Sequence, residues 1–354
     1  MSMKLKLAFT AVLSAQLCLA GPSFAGEQPS SVTQENDKQL QAETPDRIVA
    51  ITGASNIITL DRSADRLVAT SPRSRNTLLE GVLSDVFPEL GEMPADVVSK
   101  EGAPNIEQML NLETDMAIEW ARKTKSVEAM KRAGIPVLVM NYSKSGMEKM
   151  FLTRIGAVLD QEPRAAEILA WQEKTHKKIT SRTHALAEED KPRVLFLLRA
   201  NYAAGPSSHF QFTMDTAGAR NALETPARFV EIDAEMLLNA NPDVIWLMGW
   251  NPRLKAEVFL DNPVYADVPA VKHRRIYKVP VGGDHWDAPN QEFPLAWEWF
   301  TRTIHPELLD GSIRDSVRAA YPMLYGLTPS DEQLDRILRV EENAEAANYA
   351  QVAR

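Results

Sequence analysis

The sequence contains a single cysteine, Cys18, and places it near the amino terminus inside an apolar stretch. The body of the chain is therefore without a disulfide framework, a cysteine-ligated iron-sulfur cluster or a cysteine nucleophile. After the first residues, no stretch is apolar over the roughly 20 positions that crossing a bilayer takes. A P-loop, an H-E-x-x-H pair, a dinucleotide glycine fingerprint and a G-x-S-x-G elbow are all missing. "GPSSH" at 205–209 sets serine beside histidine, but adjacency in sequence is not triad geometry, so an exported enzyme is the weaker reading. Basic residues are also in deficit, 39 against 48 acidic ones, for a formal charge of −9. That balance argues against nucleic acid or an anionic membrane as a partner and makes local arginine clusters informative.

What is present begins with "MSMKLKLAFTAVLSAQLCLAGPSFAG": a basic start at Lys4 and Lys6, an apolar run from Leu7 to Ala20, then small residues at Ser23 and Ala25. This is the pattern of a secretory signal peptide over 1–25 with cleavage near Ala25, and it sends the mature chain to the periplasm. Leu17 is a poor neighbour for a lipid-anchored Cys18, so soluble export is expected. Losing Lys4 and Lys6 with the leader takes the charge from −9 to −11. Residues 26–44 are polar without an apolar period and read as a disordered tether.

From "PDRIVAI" onward, β-rich runs alternate with helical segments: "RLVAT", "DMAIEW" and "PVLVM", then "RVLFLL", "DVIWLM" and "RIYKVP". The alternation predicts an α/β fold of two doubly wound lobes with parallel sheets, over 45–143 and 190–292, with a ligand cleft between them. A length of 354 residues and a hydrophobic content of 44% suit two such cores. The lobes are joined by a helical segment, 144–189, in which Pro163 suits a first helical turn and no further Gly or Pro occurs before Pro192. Some 25 helical residues would reach roughly 37 Å, a stiff strut across a domain's width. Residues 293–354 are expected to form helices that pack back on the lobes.

One echo crosses the chain. "NIEQMLNLETDMAI" at 105–118 and "DAEMLLNANPDVIW" at 233–246 superpose at the spacing from Asp115 to Asp243, 128 residues, which aligns Glu107 with Glu235, Leu110 with Leu238 and Asn111 with Asn239. A spacing that long indicates a duplicated lobe, since solenoid repeats run at roughly 20 to 50 residues. The Leu and Asn matches are expected to repeat a packing need. Packing does not require the two glutamates.

These stretches, with "AGIPVLVMN", "NPDVIWL", "FLDNPVYADVPAVKHRRIYKVP" and the "YPMLYGLTPSDEQLDRIL" tail, resemble the periplasmic substrate-binding proteins of ABC importers for iron-siderophore complexes, haem and cobalamin. The resemblance runs from about Pro45 to Leu338 and implies two lobes on a rigid connecting helix. Its late segments are similar to members that bind iron chelates and metal oxyanions such as molybdate. It also implies that Glu107 and Glu235, one per lobe, pair with arginines of an inner-membrane permease. The protein is expected to act as a monomer without a cofactor.

Ligands of open parallel sheets sit beyond the carboxyl ends of the strands. Reading past each strand collects Arg73 and Arg75, Arg122 and Lys123, Tyr142, Arg199 and Tyr202, Trp250 and Asn251, then His285 and Trp286. Guanidinium forks hold carboxylate, phosphate or oxyanion groups, and Trp and Tyr cover flat apolar faces. The set predicts an anionic small molecule or metal chelate: a ferric siderophore first, with haem, cobalamin or an oxyanion as alternatives. A bare metal ion fits less well, because of the six dispersed histidines only His209 and His285 are placed to face the cleft.

Overall fold

A computed structural model describes residues 44–99, 102–141 and 146–354. The expected signal peptide, almost all of the expected tether and Tyr142 fall outside them. In the first lobe β1 (Ile48–Ala50), β2 (Leu67–Thr70), β3 (Met116–Trp120) and β4 (Val137–Met140) form an all-parallel sheet in the order β2-β1-β3-β4. Strand alternation splits it cleanly. Ile48, Ala50, Ile118 and Leu138 face one layer, while Val49, Ala69, Ala117 and Val137 face another that is covered by Met109, Val127 and Met130.

The second lobe is mixed rather than wholly parallel. β5 (Arg193–Arg199), β9 (Val244–Leu247) and β10 (Ile276–Lys278) run parallel, with the two-residue β7 (Arg220–Asn221) beside β5. β6 (Tyr202–Ala204) and β8 (Phe229–Glu231) extend the other edge antiparallel. Only Ala200 and Asn201 separate β5 from β6. Two residues close a hairpin but are far too few for a parallel crossover.

The connecting segment is two helices, Met147–Val158 and Glu162–Thr183, broken where Asp160 takes a φ of 55°. The longer has 22 residues, about 33 Å, and packs on the first helix as well as on Phe210–Ala217 and Phe293–Ile304 of the second lobe. Every residue of Phe293–Ile304 is buried. Helix Ile313–Tyr325 returns to pack on Ala54–Asp61 of the first lobe. One hydrophobic cluster therefore runs unbroken from the inner face of the first sheet through the connecting helix into the second lobe.

Candidate functional site at the mouth between the lobes

The carboxyl ends of the two sheets meet, and polar bonds tie them there. Ser55 Oγ donates to Asp284 Oδ2 at 2.5 Å, and Asn56 Nδ2 to Gln291 Oε1 at 3.0 Å. Glu80 pairs with Arg339 and lies 3.4 Å from His285 Nε2. Backbones approach closely as well: Val82 N donates to Gly282 O at 3.4 Å, and a Cβ on Gly81 would stand 1.7 Å from that same oxygen.

Above these ties, Arg73 of the first lobe lays its guanidinium 4.5 Å from the ring centroid of Trp250 of the second. Arg73 opens helix Pro72–Glu80, whose first turn is held by Ser71 Oγ accepting from Ser74 N at 3.3 Å. Trp250 follows β9 in a loop that Lys278 holds from below, its Nζ donating to the carbonyls of Met248 (2.8 Å), Asn251 (2.6 Å) and Leu254 (3.0 Å). Gly249, just before Trp250, donates to Asp287 Oδ2 at 2.5 Å and accepts from Arg339 at 3.2 Å. Further along the second lobe, Arg199 lies 5.8 Å from the Tyr202 ring, Tyr202 stacks on Phe229 at 5.7 Å and 26°, and Arg228 lies 5.3 Å from the Phe229 ring. The result is a strip of aromatic faces with guanidiniums along it.

The other expected residues go elsewhere. Arg75 turns into its own lobe and donates to Gly91 O, which removes its fork from the mouth. Trp286 is fully buried, its Nε1 donating at 2.6 Å to Glu292, a buried carboxylate that also accepts from Gly283 N at 2.8 Å and Tyr325 OH at 2.7 Å. Asn251 is bound to Leu198 O at 3.0 Å. Arg122 is exposed just past β3, and Tyr142 lies outside the described residues. Sequence reading missed Arg228, Phe229, Lys278, Asp287 and Arg339. A lysine inside the apolar run "RIYKVP" was the one available signal, since a buried ammonium has to find acceptors.

Burial governs the titrating groups under the mouth. It pushes His285 down to about 3, helped by the cations of Arg339, Arg73 and Lys278, so the ring is neutral and its contact with Glu80 is not an ion pair. The same burial pushes Asp287 up to about 6 and Lys278 down to about 8. Partial burial holds His209 down to about 4. Among the described residues no group of three or more His, Cys, Asp or Glu side chains is arranged to hold a metal ion. A surface hollow of about 670 Å³ lies at the amino ends of β5 and β7, away from the mouth. Its cations are already engaged: Lys191 by Glu188 at 2.7 Å, and Arg193 by the Ala222 and Ala240 carbonyls.

Glu107 and Glu235 occupy matching first turns, in helices Ile106–Asn111 and Ala234–Ala240, capped by Asn105 (3.2 Å to Gln108 N) and Asp233 (2.8 Å to Met236 N). Both glutamates are exposed. The leucine echo, expected to be packing, is not: Leu110 is 51% and Leu238 39% exposed, while their neighbours Met109 and Leu237 fill the core. In helices this short one residue per turn suffices to anchor each to its sheet, and the echoing leucines fall on the other side.

A family model described as periplasmic binding protein matches residues 44–281, which include Arg73, Trp250 and both glutamates. The chain belongs to the periplasmic binding protein family. This binding protein is 22% identical over 289 residues to an uncharacterised ABC transporter substrate-binding lipoprotein of Bacillus subtilis, YvrC, over 77% of this chain and 88% of the relative. It is 23% identical over 188 residues to the Fe(3+)-citrate-binding protein YfmC of the same organism, over 51% of this chain and 58% of that one. A periplasmic solute binding protein from Veillonella parvula shares the fold, with a TM-score of 0.76 at 24% identity, covering 84% of this chain and 93% of the other. Such proteins bind a small solute and deliver it to a permease, so the chain is a binding protein of an ABC importer and not an enzyme.

Proposed function

We propose that this binding protein captures an anionic iron chelate in the periplasm, after loss of its leader near Ala25, and hands it as a monomer to an inner-membrane permease. The observation that carries the reading is Arg73 of one lobe lying 4.5 Å from the ring of Trp250 of the other. An exposed cation–π contact is worth about 0.5–1 kcal/mol. Charge-assisted hydrogen bonds to an anion contribute roughly 1.5–3 kcal/mol, enough to draw the guanidinium off the ring and onto a ligand. Arg199 would supply a second fork, with Tyr202 and the uncovered Trp250 face against the apolar part of the chelate; Arg122 stands at the rim. The ferric-citrate relative supports this ligand class. Glu107 and Glu235 would meet basic residues of the permease, one per lobe.

One observation favours a second ligand, haem: the stacked Tyr202–Phe229 pair with Arg199 and Arg228 against its two rings offers a flat face and two cations to a planar dianion. Calorimetric titration with ferric citrate, ferric siderophores, haem, cobalamin and molybdate separates the readings. For the ligand that binds, Arg73→Ala and Arg199→Ala should each weaken affinity about tenfold or more, the loss of one charge-assisted contact. Unchanged affinity in both variants would remove the mouth as the site, and binding of haem alone would replace the iron chelate.

A further inference from the structure

Among the described residues, the large apolar side chains that remain exposed are Leu110 (51%), Met236 (38%), Leu238 (39%), Val258 (42%) and Val264 (52%). Every one lies on or beside the two helices that carry Glu107 and Glu235. Leu110 sits three residues after Glu107, and Leu238 three after Glu235, a spacing that puts each pair on one helix face. Met236 shares the second helix, and the turn Pro263–Tyr265, which carries Val264, packs against both that helix and Glu257–Leu260, which carries Val258. A single exposed leucine needs no explanation. Two at the same position of a duplicated lobe, each beside an acidic residue that repeats with it, form a repeated surface.

The position of that surface is set by topology. Each helix leads back into a parallel strand, β3 or β9, so it runs against the strand and its first turn lies toward the strands' carboxyl ends, where the mouth opens. Both patches thus flank the route of the ligand. Each combines a negative charge with an uncovered apolar side chain, which fits a partner that offers an apolar pocket rimmed by a basic residue, twice.

We infer that the two leucines are the anchors by which this protein holds the permease of its importer, and that the glutamates set register and approach. The inference rests on the docking proposed above for Glu107 and Glu235 and assigns the adhesion to different atoms. Exposed ion pairs are weak and screened within about 8 Å at physiological salt. Desolvating a leucine in a pocket, by contrast, strengthens association by roughly a factor of ten or more and is indifferent to salt. The second lobe has the broader patch, through Met236, Val258 and Val264, whereas the first depends on Leu110.

The test is binding of the full exported protein to its permease–ATPase complex in lipid nanodiscs, at low and high salt, with unchanged melting confirming that each variant is folded. Leu110→Gln and Leu238→Gln should each weaken binding at least tenfold at both salt concentrations. Glu107→Gln and Glu235→Gln should weaken it at low salt and flatten the salt dependence. If the glutamine variants of the glutamates weaken binding while those of the leucines bind as wild type, apolar anchoring is overturned and the docking reading stands. If neither set matters, both fall. If the leucine variants instead dissociate a wild-type dimer and leave permease binding unchanged, the patches join two copies of this chain and the inference is overturned.

Discussion

Arg73 and Arg75 are two residues apart on one helix, yet one meets a tryptophan of the opposite lobe and the other a carbonyl of its own. Position past a strand determines which end of the sheet a residue occupies. Which way its side chain turns is decided by partners distant in sequence, here Gly91 for Arg75 and Glu292 for Trp286. That is why strand ends alone pointed to Arg73 and Trp250, which meet across the lobes, and pointed equally to Trp286, which is buried. His285 carries a test at the same scale. Its folded pKa of about 3 lies below the ordinary 6.5, so its contribution is complete above pH 6.5 and is lost progressively as pH falls toward 3. Between pH 7 and pH 5 that loss is about 2 kcal/mol. Denaturant unfolding of wild type and His285→Gln should therefore converge by about that amount on acidification, with Asp287, Glu80, Arg339, Arg73 and Lys278 unchanged in both. A gap that stays constant between the two pH values would mean that the ring titrates normally.

At the scale of elements, the β/α alternation, both lobes and the long helix follow from periodicity in the sequence, because each rests on local apolar patterning. The antiparallel edge of β6 and β8 was hidden, since β8 is three residues, two half-buried and one exposed, too short to show an apolar run. One close meeting of elements is equally silent in sequence: the turn after helix Pro72–Glu80 touches the loop after β10 backbone to backbone, with no space for a side chain at Gly81. Gly81→Ala must push the lobes apart locally and should destabilise by about 2–3 kcal/mol, a fall in melting temperature of roughly 3–5 °C. Gly91→Ala, with nothing within 4 Å of the new methyl, is the control and should melt as wild type. Equal melting of the two variants would contradict the close contact.

For the whole molecule, the helices after residue 292 matter as much as the strut. They bury their faces against both lobes, and the hydrophobic cluster they complete has no seam along which the lobes could part. Two domains linked only by strands close widely on a ligand; two that share a core do not. Small-angle scattering should accordingly show the radius of gyration change by less than about 1 Å when the mouth is saturated. A larger compaction would mean that the shared core opens.

The unbroken core also bears on traffic at the membrane. If Glu107 and Glu235 dock the permease as proposed, and the span between them is the same with and without cargo, the permease meets loaded and empty protein with nearly equal affinity. Empty molecules then compete for every docking event, and import depends on the occupied fraction of the pool rather than on its total size. Beyond a certain abundance, making more of this protein without more of its ligand slows uptake.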